Sequence, residues 1–323
     1  MVKNSPEIYI ERVAVKTRAL GLLGLLLLAV ACGPGEARSR IDFSVLEATD
    51  AESQPAPPRS DIIRMAVAPV LSPLPTFSLY QELLEYLGRK LGTPVALVQG
   101  KTYAEINDLV RSGDVTLAFV CTNPYVQGQE EFGMELLVAP EVAGAASYYS
   151  LLIVRRDLPD ASLRELRGRT FAFSDPLSNS GRLVPLYQLA LLGETPERFF
   201  SRSIFTYSHD RSVRAVAEGI VDGAAVDSLV YDYMARTEPE VVAKTRVIER
   251  WGPFGINPVV VNPRLDPNLK ARLRDLLLAM GRDPEGKAIL QKLMVDRFVV
   301  PDDQIYDPVR EMRAYLRQRG LER

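Results

Sequence analysis

The sequence predicts an α/β protein built as two lobes. Apolar runs of strand length alternate with segments of helical period in two separate blocks, 62–120 and 170–226. A long apolar run at 148–154 has no helix before it, and another at 257–261 follows the second block, so the chain crosses between lobes twice. The length, 323 residues with 47% hydrophobic and 25% charged, accommodates about two domains of roughly 150 residues each.

The elements follow in order. Residues 62–68 read as a buried strand, and 69–75, with three prolines, as a loop that leaves Thr76 to cap a helix. Leu79, Leu83, Leu84, Leu87 and Leu91 keep helical spacing up to Gly92. Residues 95–98 form a second strand, Thr102 and Glu105 a capping box, and 115–120 a third strand. Alternation of this kind implies parallel sheets with helices on both faces. The second block starts at the strand 170–173, continues through an apolar helix from Leu183 to Leu192, and ends at the strand 223–226. A helix carrying Tyr231 and Tyr233 precedes the return strand. Leu273, Leu276, Leu277, Met280, Ile289, Leu290 and Leu293 mark the closing helices.

The first residues are read as an address. Lys3, Arg12, Lys16 and Arg18 precede a 13-residue apolar run, 19–31, too short for the roughly 20 residues of a membrane-spanning helix. Ala29-Val30-Ala31-Cys32 resembles a bacterial lipobox, which makes 1–32 a lipoprotein signal ending at Cys32, the lipidation site. Residues 33–60, rich in Pro, Gly, Ser and charge, read as a flexible tether. With Cys32 lipidated, Cys121 has no partner in the chain.

Composition also excludes functions. A net charge of −2, from 39 basic and 41 acidic residues, gives no broad basic field for nucleic acid. Two cysteines and a single histidine rule out a four-cysteine zinc site and a His-rich metal site. There is no Gly-x-Ser-x-Gly elbow, Walker loop or Gly-x-Gly-x-x-Gly. No cofactor is expected, and no enzyme.

Ligands of open α/β sheets gather beyond the carboxyl ends of the strands. Four polar loops stand there: Cys121-Thr122-Asn123-Pro124-Tyr125, 174–181, 206–210 and Asp227-Ser228. Ser178-Asn179-Ser180-Gly181 opens an apolar helix. Short polar side chains, a glycine and a helix N-terminus make either an anion cradle or a plain cap. His209 donates to an anion or caps a helix near Ser212. Tyr125 offers its hydroxyl to a ligand or packs in the core, and Asp227 binds a ligand group or caps a helix.

Tyr103, the stretch from Asp114 to Tyr125, Ser178 to Pro185, Ser208-His209-Asp210, and Gly219 to Ser228 together resemble the phosphate/phosphite/phosphonate ABC-transporter substrate-binding proteins, across about residues 62–306. The most specific segments are Ser-x-Ser-Gly-x-x-x-Pro, here 178–185, and the Ser-His-Asp run that ends in Asp-Ser, here 208–228. The resemblance implies a two-lobed type II periplasmic binding protein with a two-strand hinge and a ligand cleft between lobes. Lobe 1 would comprise 61–150 and 250–323, and lobe 2 151–249. Tyr125, Ser178, Asn179, Ser180 and His209 would hold an oxyanion, with Cys121, Thr122 and Asn123 at the cleft mouth and Asp227 facing the ligand's substituent. The expected partners are a small oxyanion, an ABC permease and, through the N-terminal lipid, the extracytoplasmic face of a membrane. Cys121-Thr122 departs from the family's common Gly-Pro. A thiol there either fills space or meets a thiophilic centre such as arsenite, as in a sensor of the same fold that reports to a membrane histidine kinase.

Overall fold

The structure, a computed structural model, describes residues 62–321. The signal segment, the lipidation site Cys32 and the 33–60 tether lie outside the described residues. Among those described, no helix is long and apolar enough to cross a membrane.

The first sheet is built from β1 (Ile63–Val67), β2 (Val95–Gln99), β3 (Leu117–Phe119), β4 (Glu135–Glu141), β10 (Val259–Val261) and β11 (Arg297–Val299), in the order β11-β4-β10-β3-β1-β2. The second holds β5 (Ser147–Arg155), β6 (Thr170–Phe173), β7 (Arg202–Phe205), β8 (Gly223–Asp227) and β9 (Thr245–Gly255), in the order β7-β6-β8-β5-β9. Neither sheet is wholly parallel. β1 pairs parallel with β2 and β3, and β6 with β7 and β8, as the alternating pattern implies. The strands that carry the chain between sheets join antiparallel, because they arrive without a crossover helix.

β5 and β9 lie side by side along their whole length, with Ser147 opposite Gly255 and Arg155 opposite Thr245. The chain therefore enters and leaves the second sheet at the same place. The crossing segments are 142–146 and 256–258, tied by the Ile256 N–H to Ala146 O at 3.0 Å. The expected lobe boundaries at 150/151 and 249/250 fall inside β5 and β9, both of which belong whole to the second sheet.

Helix α1 (Pro73–Leu91) starts earlier than expected, with Ser72 at its N-cap. Proline needs no N–H partner in a helix's first turn, so Pro73 and Pro75 lie in the helix while Pro69 stays in the loop. Thr76 sits inside that turn and donates to Leu71 O and Ser72 O, both at 3.1 Å. Helices α2 (Tyr103–Ser112) and α3 (Thr122–Phe132) follow β2 and β3, and both end on glycines, Gly113 and Gly133, in the left-handed region. In the second lobe α4 (Val184–Leu191), α5 (Pro196–Phe199), α6 (His209–Ala217), α7 (Ser228–Thr237) and α8 (Pro239–Val242) surround the sheet. α9 (Pro267–Ala279), α10 (Pro284–Lys292) and α11 (Asp307–Gln318) close the chain.

One core cluster joins the lobes. Val309, Met312 and Leu316 of α11 pack with Leu183, Val184 and Leu186 from the second lobe and with Tyr103, Ile106 and Val126 from the first. Leu316 is fully buried. Leu316→Ala is expected to lower stability by about 2–5 kcal/mol, the usual cost of a leucine-sized core cavity, read as a lower midpoint in urea unfolding.

Candidate oxyanion site between the lobes

Four helix N-termini converge on the space between the sheets: α2 at Tyr103, α3 at Thr122, α6 at His209 and α7 at Ser228. Each follows the carboxyl end of a strand. A fifth approach is the turn after β6, where Asn179–Leu183 forms one π-helical turn ahead of α4. That turn replaces the start of the apolar helix expected from Leu183.

Ser178, Asn179 and Ser180 are fully buried here. Ser178 Oγ accepts from the Gly181 N–H at 3.0 Å, and Ser180 O accepts from Ser150 Oγ at 2.7 Å. Asn179 Nδ2 donates to the Tyr148 hydroxyl at 2.9 Å. Gly181 is required for close approach: a Cβ there would lie 2.7 Å from Ser174 Cβ and 3.0 Å from His209 Cε1.

His209 is the first residue of α6, three positions earlier than the helix start expected near Ser212. Its Nδ1 accepts from the Asp227 N–H at 3.1 Å and lies 2.9 Å from Ser174 Oγ. A backbone N–H can only donate, so Nδ1 carries no proton. Burial depresses the ring's pKa from 6.5 to about 3, so the ring is neutral and its proton sits on Nε2. Nε2 lies 3.4 Å from Ser178 Oγ. Asp227 caps α7 through Leu229 N–H at 2.8 Å and also accepts from Asn257 Nδ2 at 3.2 Å. Burial pushes its carboxyl up to about 7.

Cys121 occupies the N-cap of α3 and is buried. Burial pushes its thiol up to about 12, opposed by the backbone N–H groups of Asn179, Asn123 and Thr122. Its charge would raise the pKa of both Tyr103 and Tyr148. Thr122 donates its hydroxyl to Gly255 O at 2.8 Å and its N–H to Asn257 Oδ1 at 3.3 Å.

Two expected residues point elsewhere. Asn123 bridges the lobes, donating to Leu177 O at 2.9 Å and accepting from Arg313 at 2.7 Å. The Tyr125 hydroxyl donates to Asp303 at 2.6 Å, and its ring stands edge-on to Tyr306 at 4.8 Å. Tyr125 is thus placed with the C-terminal segment and away from the Ser178 turn. Three hydroxyls join the site beyond the residues expected to touch the ligand: Tyr148, and Tyr103 and Ser208, which the resemblance named without a ligand role. Tyr103 read as the start of a capped helix and Tyr148 as one residue of a buried strand, so only the resemblance around Tyr103 marked either.

The decisive feature is a set of buried polar atoms without partners among the described residues: Tyr103 Oη, Ser180 Oγ, Ser208 Oγ and Asn179 Oδ1. Burying a hydroxyl without a partner costs about 1–3 kcal/mol, so Tyr103, Ser180 and Ser208 hold unused hydrogen-bonding capacity. No group of three or more His, Cys, Asp and Glu among the described residues is placed to hold a metal.

The titrations run in opposite directions. Between pH 6.5 and about 3 the unfolded chain takes up a proton on His209 that the folded one refuses, so this group removes stability as pH falls. Between pH 3.8 and about 7 the folded chain holds a proton on Asp227 that the unfolded one has lost, so this group removes stability as pH rises. The two windows overlap and the slopes oppose each other, so His209→Gln is expected to leave stability falling with pH between about 4 and 6.5 and Asp227→Asn to leave it rising there, both measured by denaturant unfolding across pH 3–8.

A family model described as the periplasmic substrate-binding protein of phosphonate ABC transporters matches residues 65–306. The phosphonates-binding periplasmic protein of Escherichia coli is 26% identical over 74% of this chain and 72% of its own. The phosphate-import protein PhnD of Mycolicibacterium smegmatis is 29% identical over 57% of this chain and 59% of its own. A crystal structure of the binding-protein component of a Pseudomonas aeruginosa ABC phosphonate transporter superposes with a TM-score of 0.75 at 26% identity, covering 79% of this chain and 86% of that one. The chain, a two-lobed α/β binding protein and not an enzyme, belongs to the family of periplasmic substrate-binding proteins of phosphonate ABC transporters.

Proposed function

We propose that the protein captures a small oxyanion of the phosphonate, phosphite or phosphate type and delivers it to an ABC importer, tethered to the membrane by a lipid on Cys32. The observation that carries this reading is the cluster of unpartnered buried hydroxyls on Tyr103, Ser180 and Ser208, gathered with His209 Nε2–H among four helix N-termini. These are neutral donors and aligned dipoles, suited to a tetrahedral anion held by hydrogen bonds rather than by a salt bridge. Contacts from both lobes fit capture by closure. Ser72 donates its N–H to Asp210 at 3.0 Å, the Tyr103 N–H donates to Asp175 at 3.1 Å, and the His209 N–H donates to Val70 O at 2.9 Å.

The Ser178→Ala/Ser180→Ala double variant tests the cradle. Each hydrogen bond to a charged ligand is worth about 1.5–3 kcal/mol, so calorimetry with methylphosphonate, phosphite and phosphate should show affinity at least tenfold weaker with the fold intact. Unchanged affinity removes the site assignment. Lipid attachment is tested separately: Cys32→Ala should abolish lipid labelling and release the protein from membranes.

The buried thiol of Cys121, sharing the cradle's N–H groups, favours a second reading. In it the same fold is a sensor of a thiophilic oxyanion such as arsenite, reporting to a membrane histidine kinase. A thermal-shift panel separates the two. An arsenite shift in the natural protein that disappears in Cys121→Ser supports the sensor, whereas identical profiles leave the importer.

A further inference from the structure

We propose that Asn123 and Arg313 form a latch between the lobes that positions the Ser178 turn, so that together they set ligand affinity and the rate of release without touching the ligand. The inference rests on the oxyanion reading above and gives it two positioning residues.

Asn123 is the second residue of α3, in the first lobe, and is buried. Its side-chain amide lies between two partners of fixed character, since a guanidinium only donates and a carbonyl only accepts. Asn123 Oδ1 therefore faces Arg313 Nη1 at 2.7 Å, and Nδ2 donates to Leu177 O at 2.9 Å. Leu177 immediately precedes Ser178. The Ser178 carbonyl takes the Leu183 N–H at 2.9 Å, and its hydroxyl takes the Gly181 N–H at 3.0 Å. The Asn123 bond thus holds the second lobe at the residue where the buried serine turn begins. Aspartate has the same length but, ionised, lacks the donor, and leucine lacks both functions.

Arg313 is the one lysine or arginine buried among the described residues. A buried cation is costly unless it is paired and hydrogen-bonded. Glu130 supplies the opposite charge at 3.4 Å, yet Nη1 is directed at a neutral amide. Arg313 comes from α11, which meets both lobes. Tyr315 stands edge-on to Tyr187 of α4 at 5.0 Å, and Met312 and Leu316 pack with Leu183 and Val184. Arg313 therefore reaches Asn123 from a helix that is itself packed on the segment following the serine turn. Without the Asn123 bond, the arrangement that sets the turn against α3 is less populated, and affinity falls by that fraction.

Asn123→Asp separates this role from a purely structural one. Its carboxylate pairs with Arg313 and keeps α3 and α11 together, but presents only lone pairs to Leu177 O. Asn123→Ala removes both bonds without adding charge, and decides the matter if the aspartate variant does not fold. Methylphosphonate should bind either variant about fivefold more weakly by calorimetry and leave it correspondingly faster in stopped-flow displacement. A structural role would instead lower the midpoint of urea unfolding and leave the dissociation rate as it is in the natural protein. Hydrogen exchange read by mass spectrometry without ligand gives a second measurement: residues 178–183 should exchange about fivefold faster in the variants, with 63–67 of β1 unchanged. Natural exchange at 178–183, or a natural dissociation rate, overturns the latch. If the natural protein binds no methylphosphonate, phosphite or phosphate, the oxyanion reading falls, and the exchange at 178–183 alone decides the latch.

Discussion

The Asp227 backbone N–H donates to His209 Nδ1, and the chemistry of the site depends on that bond. It needs β8 to deliver Asp227 next to the start of α6, which the pairing of β6 with β8 and the packing of α6 on β8 provide. With Nδ1 occupied and the ring neutral by burial, the remaining ring proton is committed to Nε2. Nε2 faces the Ser178 turn, which stands close enough only because residue 181 has no Cβ. A protonated imidazole here would add charge but would set two N–H groups in opposition, since the Asp227 N–H also points at Nδ1. The fold thus selects a neutral donor.

The same residues hold the lobes together. Val70 O takes the His209 N–H, Asp175 takes the Tyr103 N–H, Asp210 takes Ser72, and Leu177 O takes Asn123. Each of these interlobe bonds is made by a cradle residue or by a residue within three positions of one. These bonds set Tyr103 and Ser72 of the first lobe against the serines and His209 carried by the second. α11 adds an apolar seam across both lobes, so closure is supported by packing away from the ligand as well as by polar contacts beside it.

Much of this was legible in the sequence. The alternating blocks located β1, β2, β3, β6 and β8, and the polar loops marked Ser178, Asn179, Ser180, His209 and Asp227, which the structure brings close to one another. What was not legible had physical reasons. β4, β9 and β11 carry charged and mixed residues without clean alternation, as at Glu135, Glu141, Arg246 and Arg297, because they sit on sheet edges or run out of the hinge. The prolines before Thr76 hid the first turn of α1. Tyr148 gives no local sign of its role, because its partners Thr122 and Asn179 are 26 and 31 residues away along the chain. Tyr125 fits a ligand role by position alone, but Asp303 and Tyr306, brought in by the C-terminal segment, claim its hydroxyl and ring.

Charge is the remaining constraint. Arg182, the basic residue nearest in sequence to the cradle serines, lies over the Phe173 ring at 4.8 Å, and burial lowers its pKa. The groups gathered at the candidate site are hydroxyls, an imidazole N–H and helix N-termini, none of which carries a full positive charge. Ionised Asp227 would oppose a dianion in so poorly hydrated a place, and burial already holds its carboxyl near neutrality at about pH 7. Anion binding and protonation of Asp227 must then favour each other by linkage. Cys121 obeys the same logic. Its thiol, pushed up to about 12, keeps its proton, so it presents no negative charge to a phosphonate. It would join a thiophilic acid only by condensation, forming a sulfur–arsenic bond as one hydroxyl leaves with the thiol proton as water. Burial thus keeps the thiol protonated and leaves Asp227 only partly ionised near pH 7, so little negative charge stands beside the candidate site.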